Sequence, residues 1–331
     1  MKKKILITGV AGLLGAHLSR HFIQKGYHVI GIDNLFGGYK DFVSEDITFY
    51  KIDLNETESL KEIFSKEKPD YVYHLAAYAA KGLSPFIRNF NYENNILCSV
   101  NIINECIKNN VKKLIFTSSM AVYGEGNPPY NETQLPDPEE PYGIAKYAVE
   151  MDLKQAYEQF GLNYTIIRPH NVVGVYQNIW DKYRNVIGIW IRQILNNESL
   201  TIFGDGEQRR AFSDIKYYLE PFEKVMNEYN DEVFNIGADQ DYRIIDAAKL
   251  LQKVAGKKGY HSDIKYLEER HEPKIAYCDH TKARRFLNFE DNTDLEEVMY
   301  NMFNWALTQP ERQVKSMNYE IEKGMYSFWK K

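Results

Sequence analysis

Residues 1–20 read MKKKILITGVAGLLGAHLSR, and the fold turns on how they are parsed. Three lysines ahead of an apolar run match the charged and apolar regions of a secretory leader. The same letters also read as a buried strand, Lys4 to Thr8, a glycine-rich turn at Gly9, Gly12 and Gly15, and then a helix. The next β-branched run, YHVIGID (27–33), ends on an acid, Asp33. That spacing suits a strand–turn–helix–strand unit built around a phosphate. Cleavage of a leader would remove the first strand of that unit. The structural parse is therefore the expectation carried forward.

At 331 residues the chain can bury a large core and add a smaller lobe. Its 44% apolar and 26% charged content place it among ordinary globular proteins. A net charge of −5 argues against nucleic acid or an anionic membrane as the main partner. No apolar run approaches the roughly 18 uncharged residues of a membrane span. The three cysteines, Cys98, Cys106 and Cys278, are odd in number and have no C-x-x-C spacing. They suggest neither a disulfide framework nor a zinc site, and fit a reducing cytoplasm.

Strand and helix patterns alternate along the first half. Leu14, Leu18 and Phe22 share one face of a helix over Leu13–Gly26. ITFYKIDL (47–54) reads as a third strand, and Asn55 with Glu58 as a capping box for the helix SLKEIFSKE. DYVYHLAA (70–77) and KKLIFTSS (112–119) read as strands four and five, with one helical stretch from about Phe86 to Asn109 between them. A helix over Tyr142–Phe160 and the strand NYTIIRP (163–169) continue the rhythm. Later elements are a helix at 185–195, a short strand at 200–206, and helices at Arg243–Ala255 and Leu295–Leu307. This order predicts an α/β fold: a doubly wound parallel sheet of the Rossmann kind with a smaller C-terminal α/β substrate lobe. The expected division is 1–175 and 176–331, interleaved at the later strands.

Two constellations carry chemistry. Gly9 and Gly12 let the backbone turn tightly against a pyrophosphate, Gly15 lets the helix lie close on the strand, and the helix N-terminus offers free N–H groups to the phosphates. Asp33 can accept both adenosine ribose hydroxyls and would repel a 2′-phosphate, and no arginine follows it in DNLFGG. NAD is thus expected rather than NADP. The second constellation is TSSMAVYG (117–124) with PYGIAK (141–146). Tyr142 and Lys146 stand four apart on one helix face. A phenol of ordinary pKa near 10 is a poor base, but an adjacent ammonium and an oxidised nicotinamide would bring it into use. Ser119, at a strand end, could share the substrate proton.

GVAGLLG, HLAA, TSSMAVYG, YGIAK and RPHNVVG, in this order, resemble the NAD-dependent epimerase/dehydratase branch of the extended short-chain dehydrogenase family. GDGEQRRAF and D-x-T-K-A (279–283) extend the likeness over nearly the whole chain. The resemblance implies that Ser119, Tyr142 and Lys146 are catalytic, with Lys146 also holding the nicotinamide ribose. It implies a cofactor site of Gly9, Gly12, Leu13, Leu14, Gly15, Asp33, Asn34, Asp53, Leu54, Leu75, Ala76, Ala77, Asn94, Thr117, Tyr142, Lys146 and Pro169. Ser119, Tyr142, Asn171, Asn185, Arg210, Arg270 and Glu272 would contact an activated sugar, with a UDP-sugar the expected substrate. The implied reaction is 4-epimerisation, with net 4-dehydrogenation or uronate decarboxylation as neighbours.

Departures from the family pattern narrow the choice. Dehydratases of the branch carry an Asp–Glu pair directly after the catalytic hydroxyl residue, where this chain has Met120 and Ala121. RPHNVVGVYQN lacks the tyrosine and proline of the family's N-x-Y-G-P, and RRAFSDIKYY lacks its paired aspartates. His17 and His21 have the spacing of a two-histidine metal site but no third ligand, and no metal is expected. Trp180 and Trp190 read as packing residues, and the acidic PDPEE (136–140) as a solvated loop. The resemblance also implies a homodimer paired through the helices around Asn91–Asn109 and Tyr142–Phe160, with Ile96, Val100 and Ile103 on the apolar face.

Overall fold

The computed structural model describes residues 2–270 and 272–330. Its first half runs β1 (Lys4–Thr8), α1 (Leu13–Gln24), β2 (His28–Ile32), β3 (Thr48–Tyr50), α2 (Thr57–Glu67), β4 (Tyr71–His74), α3 (Arg88–Tyr92), α4 (Cys98–Lys108), β5 (Lys113–Thr117), α5 (Pro141–Phe160) and β6 (Tyr164–Pro169). Then follow β7 (Val172–Val173), α6 (Val186–Leu195), β8 (Leu200–Phe203), β9 (Arg209–Ala211), β10 (Ser213–Asp214), α7 (Leu219–Asn227) and β11 (Glu232–Ile236). The last elements are β12 (Asp241–Arg243), α8 (Ile244–Gly256), β13 (Ile264–Leu267), β14 (Ile275–Ala276), α9 (Thr281–Leu287) and α10 (Leu295–Leu307).

Seven strands form one sheet in the order β11-β6-β5-β4-β1-β2-β3, with every pair parallel. Parallel strands covered on both faces need apolar side chains in both directions, and the core divides accordingly. Ile5, Ile7, Tyr73, Ile115 and Ile167 pack with Leu18 of α1, Phe222 of α7 and Leu287 of α9. Their neighbours Leu6, Val72, Leu114, Phe116 and Ile166 face the opposite way, against Leu60 of α2, Ile102 of α4 and Leu153 of α5. From β1 the chain builds outward to β2 and β3, then crosses back to β4, so strand order reverses beside β1. A crevice opens at the C-terminal strand ends of such a switch point. A separate core forms the lobe, where α6, α8 and α10 pack through Trp190, Leu251 and Met302. No helix among the described residues is long and apolar enough to cross a membrane.

Several sequence expectations are corrected. Asn55 does not cap α2: its own N–H donates to Asp53, and Glu56 occupies the N-cap without a side-chain cap bond. The stretch from about Phe86 to Asn109 is helical as expected, over residues 88–108, and what the pattern did not show is a π-helical segment at Glu93–Leu97 between α3 and α4. Ile103 lies inside the sheet-facing core, so it is not part of an outer helix face. The strand β11 was not foreseen. It comes from the second half of the chain and completes the sheet against β6.

Candidate active site

The opening turn is shaped for a close-lying ligand. Gly9 has φ +72°, and a Cβ there would stand 2.8 Å from the Ala76 nitrogen. A Cβ on Gly15 would come within 2.3 Å of the Gly9 oxygen, so α1 can lie on β1 only with glycine at that position. Around Gly12 the protein leaves room, since a Cβ would meet only the Gly9 oxygen, at 3.4 Å. Gly12 is also the N-cap of α1 and provides no side-chain cap, which leaves the first-turn N–H groups to a ligand. Behind the turn, Thr8 Oγ1 bonds His74 Nδ1 at 2.7 Å, and His74 Nε2 bonds Ser99 Oγ at 2.8 Å. Burial lowers the His74 pKa to about 3, so the ring is neutral and serves to hold β1, β4 and α4 together.

Asp33 ends β2 at the crevice. Its Oδ2 accepts from Ala11 N at 3.0 Å and its Oδ1 from Leu35 N at 2.7 Å, which fixes the carboxylate while one lone pair on each oxygen remains. Burial raises its pKa, and these bonds pull the other way. Asn34 donates to Asp53 Oδ2 at 2.8 Å, joining the ends of β2 and β3.

Tyr142 and Lys146 occupy the first two turns of α5, started by Pro141 and capped by Glu140, whose carboxylate accepts from Gly143 N at 3.1 Å. Both side chains are buried. Burial pushes the Tyr142 phenol up to about 12; its hydrogen bond with Ser119 and the charge of Arg184 lower it, and Glu140 raises it. Burial likewise brings the Lys146 ammonium down to about 8. Its Nζ donates to the Thr117 carbonyl at 2.8 Å and lies 6.0 Å from the Tyr142 ring centroid. Ser119 Oγ accepts from Ala121 N at 3.1 Å, which holds the hydroxyl at the end of β5. Thr117 Oγ1 is buried without a hydrogen-bond partner.

Beneath these groups lies a network that the sequence did not reveal. Glu150 of α5 takes two bonds from Arg168 of β6, at 2.9 and 2.5 Å, and one from Ser118. Arg168 also donates to the Tyr123 hydroxyl, which donates to Asn235 Oδ1 of β11, both at 2.8 Å. The network ties the helix bearing Tyr142 to the loop bearing Ser119.

Every residue of the expected cofactor and substrate sets lines one cleft of about 680 Å³, within the usual range for small-ligand sites. The groups expected on the substrate side engage one another. Arg210 Nη2 donates to Glu272 at 2.9 Å, Asn171 Nδ2 to the Ala211 carbonyl at 2.9 Å, and Asn185 caps α6. The cleft also contains Tyr78, Glu140, Arg184, Phe203, Gln208 and Tyr326. Glu140 corrects the reading of 136–140 as a purely solvated loop, because its carboxylate turns inward to cap α5. His17 and His21 point to separate partners, the Val175 carbonyl and Glu223, rather than to a shared site.

The empty space around Gly12, the uncapped start of α1 and the orphaned Thr117 hydroxyl fit a dinucleotide lying from Asp33 towards Lys146. Comparison with known proteins agrees. The model of the NAD dependent epimerase/dehydratase family matches residues 5–237. The UDP-glucose 4-epimerase of Thermotoga maritima, solved with UDP-glucose, is 34% identical with a TM-score of 0.86, covering 92% of this chain and 98% of that one. The UDP-N-acetylglucosamine 4-epimerase of Methanobrevibacter ruminantium M1, in complex with UDP-N-acetylmuramic acid, is 33% identical with a TM-score of 0.84 over 94% and 100% of the chains. The UDP-glucuronate 4-epimerase of Thermodesulfobacterium geofontis is 27% identical over 317 residues, 91% of this chain and 95% of that protein. With the glycine turn, Asp33 and the Tyr142–Lys146 pair in one cleft, and a family match over residues 5–237, this protein belongs to the NAD-dependent epimerase/dehydratase family.

Proposed function

We propose that the chain is an NAD-dependent nucleotide-sugar 4-epimerase that acts on a UDP-sugar through a 4-keto intermediate. The observation that carries this reading is the placing of Ser119, Tyr142 and Lys146 in the same cleft as the glycine turn and Arg210, Arg270 and Glu272 of the lobe. Bound NAD supplies the hydride acceptor that oxidises C4 and the donor that reduces it again. Tyr142 takes the proton of the C4 hydroxyl and later returns it, with Ser119 holding the oxygen during the transfer. Lys146, buried and close behind the phenol, favours the phenolate and anchors the nicotinamide ribose. Asp33 holds the adenosine ribose. Arg210 and Arg270 supply the positive charge for the diphosphate, and Asn171 and Asn185 the amides for the rest of the substrate. Elimination of water is disfavoured because Met120 and Ala121 stand where a dehydratase carries its acid and base.

The test is incubation with UDP-, GDP-, dTDP- and CDP-sugars followed by NMR, using substrate deuterated at C4 where a product forms. The expected result is a C4 epimer from a UDP-sugar, with deuterium still on C4 and no accumulation of NADH. Stoichiometric NADH would make the protein a dehydrogenase, release of carbon dioxide a decarboxylase, and loss of the label to solvent would exclude return of the same hydride.

A cytoplasmic homodimer fits the same reading. All three cysteines are buried and free. Leu97, beside α4, and Ile144 and Met151 on α5 are exposed by 53%, 41% and 56%, and they give the two helices an apolar outer face for a two-fold partner. Light scattering at micromolar concentration should give twice the 38.8 kDa chain mass; the mass of one chain would refute the dimer.

A further inference from the structure

Beyond α10 the chain does not end in the lobe. It touches both halves of the molecule and reaches the cleft at Tyr326. Arg312 pairs with Asp41 and stands 3.9 Å over the Tyr39 ring. Lys315 Nζ donates to the carbonyls of Leu35, at 3.1 Å, and Phe36, directly beyond Asp33. The Glu320 carboxylate accepts from the N–H groups of Asn89 and Phe90 at 2.8 and 2.9 Å, at the start of α3. Tyr319 bonds the Tyr183 hydroxyl at 2.8 Å and donates to the Trp329 carbonyl at 3.1 Å. Ser327 N then donates to Glu268 at 2.7 Å, two residues from Arg270.

At the end of this path the segment builds an aromatic box around an arginine. The Arg270 guanidinium lies 3.3 Å from the Phe203 ring centroid, 5.0 Å from Trp329, 5.3 Å from Phe328 and 5.9 Å from Tyr326. Three of the four rings belong to the C-terminal segment. Rings hold a guanidinium by its face and leave the N–H groups at its edge free to donate. Arg270 Nε is buried with no hydrogen-bond partner, and no carboxylate hydrogen-bonds to the guanidinium among the described residues, since Glu272 is taken by Arg210. The box therefore turns onto the cleft it lines a guanidinium with no carboxylate hydrogen-bonded to it, although the charge of Glu272 reaches it.

We propose that the C-terminal segment is the positioning element for Arg270, with Trp329 and Phe328 setting the guanidinium where it meets the phosphates of the nucleotide sugar. This rests on the nucleotide-sugar reading above. Because the box is built from residues remote from the glycine turn, it should act on the nucleotide sugar and not on the dinucleotide.

The experiment is calorimetric titration of the full chain with UDP, and separately with NAD, in wild type, Trp329→Ala, Phe328→Ala and Trp329→Phe. Trp329→Ala should weaken UDP by at least about ten-fold, leave the NAD affinity of the folded protein near wild type, and raise KM more than it lowers kcat, with a lowered melting temperature because Trp329 is a buried core residue. Trp329→Phe, which keeps a ring, should restore most of the UDP affinity. Phe328 is only half-buried, so Phe328→Ala provides the same reading if the tryptophan variant does not fold. Wild-type UDP affinity in either alanine variant would overturn the positioning role, as would an equal loss of UDP and NAD affinity in the folded protein. A wild type that binds no UDP would overturn the nucleotide-sugar reading and this inference together.

Discussion

Tyr142→Phe should lower turnover by roughly two to four orders of magnitude, the range of a positioned acid–base group, with the fold and NAD affinity retained. The phenol is buried, with the Lys146 Nζ 6.0 Å from its ring centroid, so the ring packs equally well without its oxygen and the hydrogen bond removed is that with Ser119. In the free protein burial holds this phenol at about 12, too high for a base near neutrality. The proposed mechanism requires the Lys146 ammonium and an oxidised nicotinamide to lower it when the cleft is filled. The rising limb that the phenol gives to the pH–turnover profile should therefore disappear in Tyr142→Phe. Purified variant protein that turns over at near the wild-type rate would remove Tyr142 from the mechanism.

The second large effect is on stability. Arg168→Met should destabilise the protein by about 3–5 kcal/mol, because it leaves the Glu150 carboxylate buried and unpaired. The Glu150 and Arg168 side chains are only 5% and 4% exposed, so water cannot take the place of the lost partner. Arg168→Met combined with Glu150→Leu should recover much of the loss, since an apolar pair of similar size carries no stranded charge. Urea denaturation of the three proteins checks both statements. A single variant within about 1 kcal/mol of wild type would show that the network is dispensable. The consequence for function is indirect: Glu150 and Arg168 fix the distance between α5 and the Ser119 loop, so the surviving folded fraction of Arg168→Met should also show reduced turnover.

Tyr142 and Lys146 were legible as letters, because four positions on a helix fix their relation before any tertiary contact forms. The glycine turn and Asp33 were legible for the same reason, as tight turns, close backbone approach and strand alternation are set within a few residues. Glu150, Arg168, Ser118 and Asn235 offered no such signal. Each is an ordinary polar residue in its own segment, and their relation exists only once β6, α5 and β11 are neighbours. The capping-box reading at Asn55 failed on local competition: Asp53 Oδ1 accepts from the Asn55 N–H that Glu58 would have taken, and Glu56 accepts from the Asp53 N–H.

The sequence by itself thus determined the strand–turn–helix start, the alternation that makes a parallel sheet, and a set of candidate site residues that all line one cleft. Only the tertiary structure decided that β11 enters the sheet from beyond residue 230, that Glu140 turns inward to cap α5, and that the C-terminal segment reaches the cleft. The physical reason is separation along the chain. Backbone propensity and side-chain periodicity act over a few residues, whereas Arg270 meets Trp329, and Ser118 meets Glu150, through packing that no local pattern encodes.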